Sequence, residues 1–196
     1  MQEDKPFEIV FLARGGQGAW TSSILIAQAA LRAGKYAQSF PEFGPERSGA
    51  PVKAYARIHD KPIEIHAGIT QAEIVAVVDG TLSHMAKDFI RDKGAIVINT
   101  SESPAELKKK LGIPESVKIY TVDGTRIALE TLKRPIANTA ILGSVIKVLE
   151  ELGVKYLSLN DLIYAVREVL GGRYSEAIVK GNIDAVERAY KEVRGE

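Results

Sequence analysis

Two stretches of this chain carry residues whose types and spacing suit chemistry. Arg14, Gly15, Gly16, Gln17 and Gly18 follow directly on the apolar run at residues 7–13. That order reads as a strand feeding a tight glycine turn and then a helix. Such a turn leaves backbone N–H groups at a helix N-terminus, where an anionic or polar ligand can sit. The second stretch, residues 40–51, reads Phe-Pro-Glu-Phe-Gly-Pro-Glu-Arg-Ser-Gly-Ala-Pro. Its three prolines fix φ, its two glycines permit close backbone approach, and Glu42, Glu46 and Arg47 bring charge. A long, stiff, charged loop suits a docking surface better than a plain connection.

The elements that must position these stretches follow from periodicity. After the strand at 7–13, residues 19–33 read as a helix that Gly34 caps, and 35–40 as a weaker strand. Residues 52–58 alternate at period two, which predicts one buried face and a wet face bearing Lys53, Tyr55 and Arg57. A turn at 59–62 would return 63–65 as a hairpin partner. The apolar run at 73–79 predicts a central strand, followed by a helix near 83–91 and a strand at 95–99. Ser103, Pro104 and Glu106 have capping-box spacing with proline at the first helical position, so a short helix should run to about residue 111. A strand at 117–122 follows. Beyond Asn138 the chain reads as helices near 139–152, 161–170, 175–180 and 184–193, separated at glycines. The fold class is α/β: a mainly parallel sheet with flanking helices, a β-hairpin insertion and a helical C-terminal end. Residues 1–196 read as one domain.

Composition removes several functions. Lys and Arg number 26 against 25 Asp and Glu, which gives no general pull toward nucleic acid or a membrane surface. No apolar run approaches the roughly 20 residues of a membrane helix. The charged start, Met1 to Lys5, has no apolar signal core, so a cytoplasmic location is expected. The chain contains no cysteine, hence no thiolate for a cluster, no catalytic thiol and no disulfide. His59, His66 and His84 form no metal motif and read as turn, strand-end and helix-start residues.

The glycine turn departs from the dinucleotide fingerprint. Its glycines stand at 15, 16 and 18, Thr21 occupies the place of the last glycine, and Gln38 and Ser39 stand where a ribose-binding acid belongs. An independent NAD-dependent enzyme is therefore disfavoured. Plainer readings accompany each feature: a packing turn at 14–18, a surface ion pair at Glu46 and Arg47, and a helix N-cap at Asn138 with Gly143 allowing close packing.

Taken in order, the 14–18 turn, the Gly-Pro-Glu-Arg segment, the run Asn138-Thr139-Ala140-Ile141-Leu142-Gly143 and the run Lys180-Gly181-Asn182-Ile183-Asp184-Ala185 resemble the γ subunit of the 2-oxoacid:ferredoxin oxidoreductases. The Phe-Pro-Glu-Phe and Ser-Gly-Ala-Pro forms look more like the pyruvate and branched-chain branch. The resemblance implies a complex that decarboxylates a 2-oxoacid oxidatively with coenzyme A, giving acyl-CoA, CO2 and reduced ferredoxin. It implies alpha, beta and delta partner subunits, which hold thiamine diphosphate, Mg2+ and [4Fe-4S] clusters, and ferredoxin reached through the complex. This chain alone would bind no cofactor and would be inactive. Arg14, Gly15, Gly16, Gln17 and Gly18, with Gly44, Pro45, Glu46 and Arg47, would contact coenzyme A or the subunit that shapes its channel. The alternative is a free-standing nucleotide- or CoA-binding α/β protein.

Overall fold

The computed structural model describes residues 5–42 and 49–196. Gly44, Pro45, Glu46 and Arg47 lie outside the described residues. The sheet has seven strands in the order β2-β3-β1-β4-β5-β6-β7. Its middle is parallel: β1 (Phe7–Arg14) pairs with β4 (Ala72–Val77), β4 with β5 (Ile90–Asn99), and β5 with β6 (Lys118–Val122). On one flank β3 (Pro51–His59) runs antiparallel to β1, and β2 (Tyr36–Glu42) antiparallel to β3. On the other, β7 (Arg194–Gly195) closes the edge of β6.

Alternation along β1 sends side chains into two cores. Ile9 and Phe11 face a layer containing α1 (Ala19–Arg32), α4 (Asn138–Glu151), α5 (Leu159–Gly171) and α6 (Glu176–Glu192). Val10 and Leu12 face a thinner layer that includes Leu82, Ala86 and Leu107. The last belongs to α2 (Pro104–Leu111), which starts as its spacing predicts: Ser103 caps it, Glu106 N–H donating to its hydroxyl, and Pro104 is the first helical residue. The remaining helix, α3 (Gly124–Leu132), and strand β7 are short elements absent from the sequence reading.

Five expectations are corrected. The face of β3 bearing Tyr55 and Arg57 is dry, each residue being 2% exposed. The segment after β3 forms no strand at 63–65 but passes over this face, and Arg57 donates to the carbonyls of Ala67 (2.8 Å) and Gly68 (3.3 Å). Its charge is met by Glu8 at 2.8 Å. The antiparallel hairpin is thus β2 with β3. The helix expected near 83–91 is instead a 3-10 segment at Gly80–Asp88. Ile90 must already pair with Ala72 at the far end of β4. Nine residues of 3-10 helix span about 18 Å, against about 14 Å for an α-helix and about 17 Å of strand to retrace. Gly181 and Asn182 do not break the last helix, because a Cβ at Gly181 would stand 2.9 Å from the Thr131 carbonyl: the glycine serves close contact with α3. Asn138 is the first residue of α4 rather than its N-cap. The close packing expected at Gly143 is present, since any Cβ there would strike the Val186 carbonyl of α6.

Candidate functional site

The parallel strands deliver their C-terminal ends to one edge, and β1 and β4 are the pair where the chain's direction of travel across the sheet divides. From β1 it goes out to β2 and β3; from β4 it goes to β5 and β6. Ligands of open α/β sheets bind at such a switch point. The 14–18 turn stands there, because Leu12 pairs with Val77 and so brings Arg14 level with Asp79.

The turn is shaped by backbone conformation. Gly16 has φ +93° and Gly18 φ +82°, both left-handed values that favour glycine. Gly18 is the N-cap of α1, no side chain caps that end, and the first turn holds no acidic residue. The helix therefore offers a positive end to an incoming anion.

Side chains then lock the turn. Gln17 accepts from the Arg14 N–H at 2.8 Å and donates to Asp79 Oδ2 at 2.7 Å. The Arg14 guanidinium donates to Thr81 Oγ1 at 2.9 Å and to the Gly49 carbonyl at 3.1 Å, and lies 3.5 Å from Asp79. The Gly15 N–H donates to the Ala50 carbonyl at 2.9 Å, which fastens the turn to the start of β3. Burial is the largest single influence on Asp79 and pushes its carboxyl up. The hydrogen bonds from Thr81 and Gln17 and the Arg14 charge together outweigh it and hold Asp79 below its ordinary range. Arg14 and Gln17 thus position the turn, while Gly16 and Gly18 give it its opening.

Two clefts meet at the turn. One, of about 400 Å³, is lined by Gln17, Asp79, Thr81, Asn99 and Thr125, among others. Asn99 is fixed there by donating to the Val78 carbonyl (2.8 Å) and to Thr125 (2.9 Å). The second, of about 260 Å³, borders Gly16, Gly18, Thr21, Asn138, Thr139 and Asn182. Here the distant sequence runs converge: Ser22 donates to the Asn138 carbonyl at 3.3 Å, and Thr139 to Asn182 Oδ1 at 2.8 Å. Asp79, Thr81, Asn99 and Thr125 were missed in the sequence. The signal was their position at the C-terminal ends of strands, where Asn99 closes β5 and Asp79 stands two residues past β4, or at helix starts, as for Thr81 and Thr125.

Among the described residues no group of His, Asp and Glu is placed to hold a metal ion, and no helix is long and apolar enough to cross a membrane. Fold and crevice together define an α/β domain that presents a glycine turn at its sheet's switch point. The family model described as pyruvate ferredoxin/flavodoxin oxidoreductase matches residues 8–192, and the chain belongs to that family. It is 37% identical over 191 residues to the pyruvate synthase subunit PorC of Thermotoga maritima, covering 97% of this chain and 96% of that protein. The pyruvate/ketoisovalerate oxidoreductases common subunit gamma of Thermococcus kodakarensis is 42% identical over 189 residues, covering 93% and 95%. The crystal structure of the Thermotoga maritima pyruvate oxidoreductase subunit superposes with a TM-score of 0.82 at 34% identity, over 98% of this chain and 99% of that one.

Proposed function

We propose that this chain is the gamma subunit of a pyruvate or related 2-oxoacid:ferredoxin oxidoreductase. It would work in the cytoplasm with alpha, beta and delta subunits that pass electrons to ferredoxin. The near full-length likeness to relatives named as such subunits supports the assignment. Its part lies on the coenzyme A side of the site, and the observation that carries this is the braced turn at Arg14, Gly15, Gly16, Gln17 and Gly18. Coenzyme A is a polyanion with a long arm. The uncapped start of α1 suits its phosphates, Asp79 beside the turn is already matched by Arg14, and the clefts on either side give room. Bound coenzyme A supplies the thiol that takes the acyl group; the residues here hold and orient it. Gly44, Pro45, Glu46 and Arg47 belong to the same proposal as contacts to coenzyme A or to the neighbouring subunit. Thiamine diphosphate with Mg2+ and the [4Fe-4S] clusters fall to the partner subunits. A chain without cysteine offers no thiolate to a cluster.

The test is co-expression with the partner subunits, followed by viologen reduction with pyruvate, coenzyme A and thiamine diphosphate. The assembled complex should turn over and this chain alone should not. Arg47→Ala should raise the KM for coenzyme A or weaken assembly while leaving the melting temperature of the free chain unchanged. A chain that stays monomeric beside its partners and binds coenzyme A by itself would replace this reading with a free-standing binding protein.

A further inference from the structure

The end of the sheet opposite the glycine turn carries a cleft of about 1,000 Å³, walled by the starts of β1, β4 and β5 and by the connection between α4 and α5. Cations predominate in its lining, and Arg91 among them is bound by Glu73 and Glu8. Lys5, Lys61, Lys93, Lys155 and Arg91 line it, in a chain whose formal net charge is only +1. The two carboxylates on its wall are matched internally: Asp60 is paired with Lys35, and Glu73 with Arg91. Lys93 and Lys155 form no ion pair with any described residue.

The backbone is bent to place one of these cations. Lys93 has φ +60°, a left-handed conformation that residues with a side chain rarely adopt. It stands in β5 where the register against β4 shifts between Ala72 and Ile74. The next residue must be glycine, since a Cβ at Gly94 would stand 2.8 Å from the Glu73 carbonyl. Strain held by its surroundings marks functional positions, and here it sets an ammonium at the mouth of a cleft. Tyr156 adds an aromatic wall, fixed edge-on against Phe7 with ring centroids 6.0 Å apart. A concave site of this size suits a small molecule.

We propose that this cleft binds a nucleoside polyphosphate, with Lys93 and Lys155 meeting the phosphates and Tyr156 beside the base. The site is separate from the glycine turn and does not depend on the assignment of the turn to coenzyme A.

The experiment is calorimetric titration of ATP into the full chain and into the assembled complex, each with and without saturating coenzyme A. Saturable binding that persists in the presence of coenzyme A is expected. The double variant Lys93→Gly with Lys155→Ala should raise the Kd about tenfold, from the loss of two charge-assisted contacts. Glycine accepts the left-handed backbone at 93, so the melting temperature of the free variant should not fall. Tripolyphosphate should bind more weakly than ATP, and Tyr156→Leu should remove that difference. Competition between ATP and coenzyme A, equal affinity for ATP and tripolyphosphate, binding of a poly-glutamate peptide in place of ATP, or a double variant that binds ATP as the unaltered chain does would each overturn the proposal.

Discussion

Gly16 and Gly18 are two residues apart and share a left-handed backbone, yet the structure assigns them different sensitivities to the same substitution. At Gly16, with φ +93°, an added Cβ meets nothing within 4 Å. Gly16→Ala therefore costs only the left-handed conformation, about 1–2 kcal/mol. At Gly18, with φ +82°, the added Cβ would stand 2.5 Å from Nδ2 and 3.0 Å from Cγ of Asn138. Asn138 is 8% exposed, so its amide has little room to withdraw. Overpacking of this kind adds about 1–3 kcal/mol, for a total of about 2–5 kcal/mol. At about 2–4 °C per kcal/mol for a chain of this size, Gly16→Ala should lower the melting temperature by about 2–8 °C and Gly18→Ala by about 4–20 °C. A double-mutant cycle isolates the contact. Combining Gly18→Ala with Asn138→Ala should recover at least about 0.5 kcal/mol relative to the sum of the single changes. Urea unfolding of the four chains supplies the free energies. Equal losses at the two glycines with zero coupling to Asn138 would refute this account of the turn.

Two further outcomes follow from charges that the fold holds. Arg57→Met should cost about 3–5 kcal/mol in urea unfolding, because among the described residues it leaves the Glu8 carboxylate with only the 3.4 Å contact to Arg91 and the Ala67 carbonyl without its donor; a loss under about 1 kcal/mol would show that the pair is dispensable. Asp79 is held below its ordinary value of 3.8, so the stability it contributes is fully present above that value and is lost as pH falls through the lower folded value. The stability gap between the unaltered chain and Asp79→Asn should therefore be constant at neutral pH and should close below pH 3.8, and a gap that stays constant down to acid unfolding would contradict the Arg14, Gln17 and Thr81 contacts.

The sequence shows the parts of this molecule that rest on local chemistry. Residues 7–13, the glycines after them and the apolar period of α1 announce strand, turn and helix. Ser103 and Pro104 announce α2. What stays hidden depends on distant partners. Arg57 looks like a solvent-facing residue until Glu8, 49 positions away, and the carbonyls of the 65–68 segment close over it. Gly181 reads as a break because a glycine that permits a turn and one that admits a neighbouring helix are spelled alike. Asp79 and Asn99 end apolar strands in a way that points to an edge but not to which edge. Only the register of Leu12 against Val77 puts Asp79 beside Gln17.

The hydrogen bonds that converge on the glycine turn join residues far apart along the chain. Gln17 and Asp79 are 62 positions apart, Ser22 and Asn138 116, and Thr139 and Asn182 43. The entropic cost of closing a loop grows with its length, so these contacts form late, after the shorter-range ones. A chain still being synthesised cannot complete this corner until α6 has emerged and docked, so partner subunits meet a finished corner only on a finished subunit. Contacts made after the rate-limiting step slow unfolding and leave folding speed nearly unchanged. A ligand or subunit seated on this corner would therefore act chiefly on how long the folded chain survives.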